Sequence, residues 1–142
     1  MRLTQFSDYA LRLLVYVAAH DDRLVTIDEA AGAYRISKNH LMKVANILTR
    51  NDFLKAVRGR SGGLKLARRA EEIVLGDVLR VTEPDFAIVE CFGDDADRIT
   101  PSHRLRRVLG GALDAFMAEM DRNTLSDIAV DPALFPLNQP AA

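Results

Sequence analysis

The apolar positions of the first thirty-odd residues repeat with the period of an α-helix and predict two helices. The first, DYALRLLVYVAAH, has Ser7 as its expected N-cap. One face of this helix collects its apolar residues, which are Ala10, Leu13, Leu14, Val17 and Ala18. The stretch TIDEAAGAY opens on a capping box of Thr26 and Glu29, and it predicts a short second helix that ends near Tyr34.

A third amphipathic helix, KNHLMKVANILTR, follows after a tight link, with Ser37 as its expected N-cap. Its apolar face is formed by Leu41, Val44, Ala45 and Leu48. A short helix joined in this way to a second amphipathic helix predicts a helix-turn-helix. Beyond Arg50 the apolar period shortens, so FLKAV and LKLA read as two strands of a β-hairpin around RGRSGG.

The second half of the chain predicts one short helix and one long helix. EEIVLGDVLRVTE reads as a strand residue or two and a short helix closed by Pro84, and an irregular acidic stretch follows. The long helix is interrupted only by Gly110 and Gly111. Its apolar stripe consists of Leu105, Val108, Leu109, Ala112, Leu113, Phe116, Met117 and Met120. The proline-rich end, DPALFPLNQPAA, is expected to fray.

Together these elements predict a mainly α fold with a small β-hairpin wing, that is, a winged helix-turn-helix followed by a long C-terminal dimerisation helix. We divide the chain into a winged helix-turn-helix domain (1–83), an irregular loop (84–103), a dimerisation helix with a short following helix (104–129) and a flexible tail (130–142). The apolar stripe supports dimerisation, because a lone amphipathic helix of this length needs an apolar partner.

Composition adds a strong segregation of charge. The net charge is only −1, yet the stretch from Arg35 to Arg69 holds ten Lys and Arg residues and a single acid, Asp52. A basic block in an otherwise acidic chain indicates a surface that meets a polyanion. A membrane surface is disfavoured, because these charges alternate with turn glycines and core positions. With no apolar run of spanning length, no signal-peptide pattern and one cysteine, we expect a cytoplasmic protein.

The stretch VRGRSGGLKLAR combines glycines with positive charge, which is typical of phosphate binding. A nucleotide P-loop is disfavoured, because these glycines lie between two strands and no GK[ST] follows them. A wing that contacts double-stranded DNA fits better, with the third helix entering the major groove. The expected DNA-binding residues are Ser37, Lys38, Asn39, His40 and Lys43 on the helix and Arg58, Gly59, Arg60 and Ser61 on the wing.

Individual roles can be assigned within this set. Asn39 would read adenine, and Lys38 or Lys43 would read guanine or only touch phosphate. Arg58 and Arg60 would enter a narrow minor groove, while glycines 59, 62 and 63 would let the wing approach the duplex closely. The alternative is that these are solvated charges on an ordinary surface helix.

Five long stretches of the chain match a known pattern, and they are SDYALRLLVYVA, ISKNHLMKV, VRGRSGGLKLAR, LGDVLRVTEPDFAIVECF and ITPSHRLRRVL. They resemble the iron–sulfur winged-helix transcriptional repressors of the IscR and NsrR type, and the nitric-oxide-sensitive NsrR type most closely. The resemblance implies a homodimer that binds a palindromic operator through the domain at 1–83. It also implies that the loop at 84–103 is a sensor with an iron–sulfur cluster, either 2Fe-2S or 4Fe-4S, that couples nitric oxide or redox state to DNA affinity.

At the positions that bind the cluster, the chain departs from the family pattern. Where such repressors place three cysteines, the alignment finds Cys91, Asp97 and His103. Asp8 matches a position at which some members contribute a carboxylate from the partner subunit. The resemblance thus implies cluster ligands at Cys91, His103, Asp97 and Asp8, with Cys91 as the iron ligand that supplies sulfur. Each of these residues also has an ordinary structural explanation, such as a buried thiol at Cys91 or a helix-dipole contact at Asp8.

Two other hypotheses remain open at this point. One is a cluster-free winged-helix repressor in which Cys91 acts as a thiol switch, or which has no thiol sensor. The other is an enzyme with Cys91 as nucleophile and His103 as base. No third orienting group accompanies that pair, and neighbouring acids would raise the pKa of the thiol, so an enzyme is disfavoured.

Overall fold

The computed structural model describes residues 1–87 and 103–135. Helix α1 (Gln5–Ala19) starts one turn earlier than predicted, and its N-cap is Thr4, whose hydroxyl accepts a hydrogen bond from the Ser7 amide at 3.2 Å. The prediction of Ser7 as N-cap is therefore wrong. Ser7 is fully buried, and its hydroxyl lies 2.7 Å from that of Thr82. Thr82 donates its own proton to the Val78 carbonyl, so Ser7 is the donor in this pair.

The helix-turn-helix is present at the predicted position. Helix α2 (Ile27–Tyr34) begins with the capping box of Thr26 and Glu29, and helix α3 (Lys38–Arg50) begins after Ser37. The turn between them passes through Arg35, which adopts the left-handed backbone conformation with φ of 54°. This conformation lets the Ile36 amide donate to the Ala31 carbonyl at 3.0 Å and so satisfies the end of α2.

The predicted hairpin is an antiparallel pair of strands, β1 (Leu54–Val57) and β2 (Gly63–Leu66), with Leu54 opposite Leu66. Val25, which lies between α1 and α2, forms a single antiparallel bridge to Leu64. Because Val25 and Leu64 are both buried, this bridge attaches the hairpin to the helical core.

Two further helices complete the described chain, α4 (Leu75–Thr82) and α5 (His103–Arg122). Helix α5 runs without a break through Gly110 and Gly111. Its C-terminal end is tied back to the region before α4, because Val74 and Thr124 form an antiparallel bridge. Leu125 follows in a 3₁₀ turn (Leu125–Ile128) and is fully buried in the core between the helices.

Residues 130–135 depart from the expectation of a flexible tail at 130–142. Another 3₁₀ turn (Pro132–Leu134) places Phe135 against an aromatic cluster on the winged-helix domain. The Phe135 ring centre lies 5.0 Å from that of Tyr16, 5.7 Å from that of Tyr34 and 5.8 Å from that of His20. Edge-on aromatic contacts at such distances are favourable, so this part of the tail is packed.

The core unites the predicted faces of α1 and α3 with the wing and α4. Fully buried large side chains include Leu13, Leu14, Leu41, Leu48, Leu54, Ile73, Leu79 and Leu125. The predicted fold, a mainly helical winged helix-turn-helix with one hairpin and a long C-terminal helix, is confirmed. Among the described helices, none is both long and apolar enough to cross a membrane.

Candidate nucleic-acid interface

Helix α3 separates its core-facing residues from a polar face. Leu41, Val44, Ala45 and Leu48 are buried as the period predicts. The predicted contact residues Ser37, Lys38, Asn39, His40 and Lys43 are all exposed. Ser37 is the N-cap residue but its side chain makes no capping hydrogen bond, so its hydroxyl is available for another partner. This end of α3 therefore presents polar groups to the solvent instead of using them to hold the helix.

Two of the predicted contact residues already interact within the chain. The Lys38 ammonium lies 2.9 Å from the Asp28 carboxylate on α2. The His40 ring lies 6.4 Å, centre to centre, from the ring of Tyr9 on α1. Within residues 1–87 and 103–135, the side chains of Asn39 and Lys43 form no hydrogen bond or ion pair. Asn39 and Lys43 are thus the better placed of the helix residues to accept an external ligand.

The wing turn depends on its glycines for reasons that differ from residue to residue. Gly59 has a φ of 113°, and a Cβ there would meet open space. A Cβ on Gly62 would lie 2.1 Å from the Val57 carbonyl oxygen, so any side chain would break the turn. Gly62 is therefore required by the hairpin itself, and the close approach of glycines 59, 62 and 63 to DNA stays a prediction.

The charged tip of the wing is open to solvent. Arg58, Gly59, Arg60 and Ser61 are all exposed, and in the described part of the chain the two arginines form no ion pair. The surface formed by the nine predicted contact residues of α3 and the wing is called the reading surface below. In the part of the chain that the structure describes, Lys38 is the one cation of the reading surface that pairs with an acidic side chain.

The structure adds Lys55 and Lys65 to this basic region, which sequence reasoning did not single out. They stand directly opposite each other on β1 and β2, and both are exposed. Like charges in a cross-strand pair destabilise a hairpin. The pairing of the two lysines follows from the strand register. Placing Leu54 opposite Leu66 in the predicted hairpin would have shown it from the sequence.

The expected cluster ligands are only partly within the described residues. Asp8 accepts a hydrogen bond from Arg12 Nε at 2.9 Å, and both side chains are about half exposed. His103 is the first residue of α5. Cys91 and Asp97 lie outside the described residues. Among those that are described, no group of three or more His, Cys, Asp or Glu side chains is arranged to hold a metal ion.

The Arg12 side chain also connects Asp8 to the aromatic cluster behind the helix-turn-helix. Its guanidinium carbon lies 5.7 Å from the centre of the Tyr34 ring. Tyr34 is the last residue of α2 and touches Phe135 on its other side. Burial raises the pKa of Tyr34 to about 12, and the cation of Arg12 opposes this only in part.

Comparison with known proteins identifies the family. The profile of the Rrf2 family, described as an iron-dependent transcriptional regulator, matches residues 3–131. The chain belongs to the Rrf2 family. It is 41% identical over 134 residues to the HTH-type transcriptional regulator NsrR of Bacillus licheniformis. This alignment covers 92% of this chain and 94% of the relative.

Two solved structures show the same fold. One is CymR (YrzC), the global cysteine regulator of B. subtilis, with a TM-score of 0.76, 24% identity and coverage of 91% of this chain and 96% of that chain. The other is T. potens IscR, with a TM-score of 0.74, 22% identity and coverage of 90% of this chain and 85% of that chain. These similarities establish the fold, and the Rrf2 match establishes a transcriptional regulator.

The donor set of this Rrf2 protein does not fit a cluster held by thiolates alone. The chain has a single cysteine. Iron–sulfur clusters are usually held by four thiolates, and histidines replace two of them in Rieske centres. In addition, the Asp8 carboxylate is already paired with Arg12. Any cluster here would have to use nitrogen and oxygen ligands for most of its coordination.

Proposed function

We propose that this protein represses transcription by binding a palindromic DNA operator as a homodimer. The observation that carries the proposal is the reading surface, in which an exposed polar face of α3 lies next to an exposed basic wing. In an Rrf2 regulator, this is the arrangement that the winged helix-turn-helix needs in order to enter the major groove and contact the adjoining backbone. The competing explanation, a solvated surface helix, does not account for a basic loop beside that helix whose two arginines form no ion pair within residues 1–87 and 103–135.

Within this surface, the geometry favours different tasks for different residues. Asn39 would read adenine, and Lys43 would reach guanine or phosphate. Lys38 would have to exchange its contact with Asp28 for a contact with DNA, so we assign it to phosphate. Arg58 and Arg60 would occupy the minor groove beside the recognition helix, where the negative potential is enhanced.

The homodimer is supported by the surface of α5. Leu105 and Val108 are exposed although apolar, at 49% and 64%. Next to them is a largely apolar groove of about 610 Å³ between α5 and the N-terminus, whose lining includes Leu3, Phe86, Leu109, Leu113 and Phe116. Exposed apolar surface of this kind is typical of an interaction site. We assign it to a second copy of the chain, which would place two reading surfaces on two half-sites of a palindrome.

We further propose that the repressor responds to nitric oxide or redox state, the signal that the resemblance implies, through one of two kinds of sensor. In the first form of this hypothesis, Cys91 holds an iron–sulfur cluster together with His103, Asp97 and Asp8 of the partner subunit. The description of the Rrf2 family as iron-dependent supports this form.

In the second form, no cluster is bound and Cys91 acts as a thiol switch, or the sensor is not a thiol. The single cysteine and the Asp8–Arg12 pair support this form. An enzyme using Cys91 and His103 is not proposed, because the family and the relative that match most of the chain are transcriptional regulators.

Two experiments test the proposal. Selection from a random duplex pool with the purified protein should recover a palindrome bound by a dimer, and recovery of no enriched sequence would contradict the repressor. Anaerobic reconstitution with iron and sulfide, followed by visible absorption, separates the two sensors. Colour that disappears in Cys91→Ala supports the cluster, colour that persists in Cys91→Ala refutes Cys91 as a ligand, and two colourless samples support the cluster-free form.

A further inference from the structure

The turn of the helix-turn-helix contains a residue that is unfavourable for its backbone conformation. Arg35 has φ of 54° and ψ of 44°, in the left-handed region. Glycine adopts this region without steric cost, whereas the Cβ of other L-residues approaches the following carbonyl oxygen. The turn requires the conformation, because the Arg35 and Ile36 amides donate to the Gly32 and Ala31 carbonyls and so close α2.

The Arg35 side chain does not compensate for this strain within the protein. It is exposed, and within residues 1–87 and 103–135 it forms no hydrogen bond, ion pair or ring contact. The other non-glycine residue with positive φ among the described residues is Asp52, at 60°. Aspartate tolerates this conformation because its short side chain bonds locally, but arginine has no such advantage. Backbone strain that no contact within the described residues offsets often marks a functional position.

The position of Arg35 indicates what that function is. It lies two residues before the N-cap of α3, and therefore next to the residues that the reading surface would place at the mouth of the major groove. Chain segments that lead into a recognition helix run past the phosphate backbone, which a guanidinium can contact with two parallel hydrogen bonds. Arg35 also begins the basic block that ends at Arg69.

We propose that Arg35 is a DNA phosphate contact at the rim of the major groove, and that the strain at the turn is retained because glycine would lose this contact. The proposal rests on the proposed function as a DNA-binding repressor. It assigns Arg35 a positioning role, because a phosphate contact fixes the register of α3 without reading a base.

The test separates charge from backbone strain with two substitutions. Arg35→Gln removes the cation and keeps a side chain in the left-handed conformation, while Arg35→Gly removes both the cation and the strain. Binding is measured by fluorescence anisotropy on a labelled random-sequence duplex and on the selected palindrome, over a series of potassium chloride concentrations. The denaturant midpoint of each variant is measured in parallel.

Both variants should bind each duplex about five-fold more weakly, with the slope of log affinity against log salt reduced by about 1. Arg35→Gly should nevertheless unfold at a higher denaturant concentration than the wild type, and Arg35→Gln should not. A matched control, Asp52→Gly, should keep its DNA affinity and should gain less stability than Arg35→Gly, because aspartate tolerates the left-handed conformation better than arginine does. A loss of affinity that accompanies higher stability is not expected of a residue with a merely structural role.

Wild-type affinity and salt slope in both variants would overturn the proposal while leaving the repressor intact, provided that Arg60→Ala still weakens binding. If the wild-type protein binds neither duplex, the proposed function itself fails, and the assignment of Arg35 fails with it. A loss of affinity that is confined to the selected palindrome would also overturn the assignment of Arg35 as a phosphate contact, because such a contact acts on every sequence.

Discussion

The Asp121 carboxylate occupies the space beside Gly76 that a side chain would need. A Cβ on Gly76 would lie 1.8 Å from Asp121 Oδ1. This close approach allows Asp121 to receive a two-pronged contact from Arg80, with both nitrogen–oxygen distances at 2.7 Å, and the contact lowers the pKa of Asp121. Since Gly76 and Arg80 are in α4 and Asp121 is in α5, the three residues join the DNA-binding domain to the proposed dimerisation helix.

This relationship predicts that substitutions at Gly76 and Asp121 are coupled. In an Asp121→Ala background, Gly76→Ala should stabilise the protein by about 0.5–1 kcal/mol, because alanine is the better helix former. In the wild-type background the same change should gain less or destabilise, because Asp121 must move. The measurement is a double-mutant cycle of unfolding free energies, and additivity within about 0.3 kcal/mol would show that the contact is unimportant.

The wing predicts a strong dependence of DNA affinity on Arg60. Arg60→Ala should weaken operator binding about five- to thirty-fold, corresponding to about 1–2 kcal/mol, because a cation in the groove is lost. Arg122→Ala is the matched control, since Arg122 lies outside the basic block and pairs with Glu119. Anisotropy titrations measure both variants, and equal effects at the two positions would argue against the wing as a DNA contact.

The opposed lysines Lys55 and Lys65 on the hairpin predict that a substitution which stabilises the fold weakens the electrostatic part of DNA binding. Lys65→Thr should raise the unfolding free energy by about 0.2–1 kcal/mol, because it removes like-charge repulsion with Lys55 and adds a good strand former. It should also reduce the salt dependence of DNA binding if the pair contacts phosphate. In Lys55→Thr/Lys65→Thr the second substitution should add less stability than the first, because the repulsion is already gone and only the gain from a better strand former remains. Equal gains from the two substitutions would show that the two lysines do not repel each other.

The apolar face of α5 predicts the oligomeric state. Leu113→Asp should dissociate or unfold the dimer, because an unpaired charge would enter a buried interface. Ala118→Asp is the control, as Ala118 is exposed on the opposite side of the helix from Leu109, which lines the same groove as Leu113. Analytical ultracentrifugation decides the matter. A wild-type protein that sediments as a monomer, like both variants, would rule out the dimer.

Tyr34 predicts a loss of stability in alkali. Its folded-state pKa of about 12 lies above the unfolded value of about 10, so the stability linked to its proton is complete below pH 10 and is lost as the pH rises towards 12. Relative to Tyr34→Phe, the wild type should lose about 1 kcal/mol over this range, an amount that allows for partial exposure. Denaturant titrations at a series of pH values measure it. A constant difference between the two proteins would show that the raised pKa is absent.

The helices and the wing were predictable because local physics decides them. The apolar period of α3 buries Leu41, Val44 and Leu48, and it leaves Asn39 and Lys43 exposed, whatever packs against the helix. The capping box of Thr26 and Glu29 is likewise a contact between near neighbours, and it formed as predicted. The family was also recognisable, since its motifs are long and contiguous in the chain.

Contacts between distant residues were decided only by the tertiary structure. Ser7 has the chemistry of an N-cap, but Thr82, from α4, places a hydroxyl 2.7 Å away and holds Ser7 inside the core, so Thr4 becomes the cap. Phe135 follows a proline-rich stretch that favours fraying, yet Tyr16 and Tyr34 provide an aromatic surface that binds it. Local pattern determines which face of an element is apolar, while the partner that each polar or aromatic group finds depends on residues brought together only by folding.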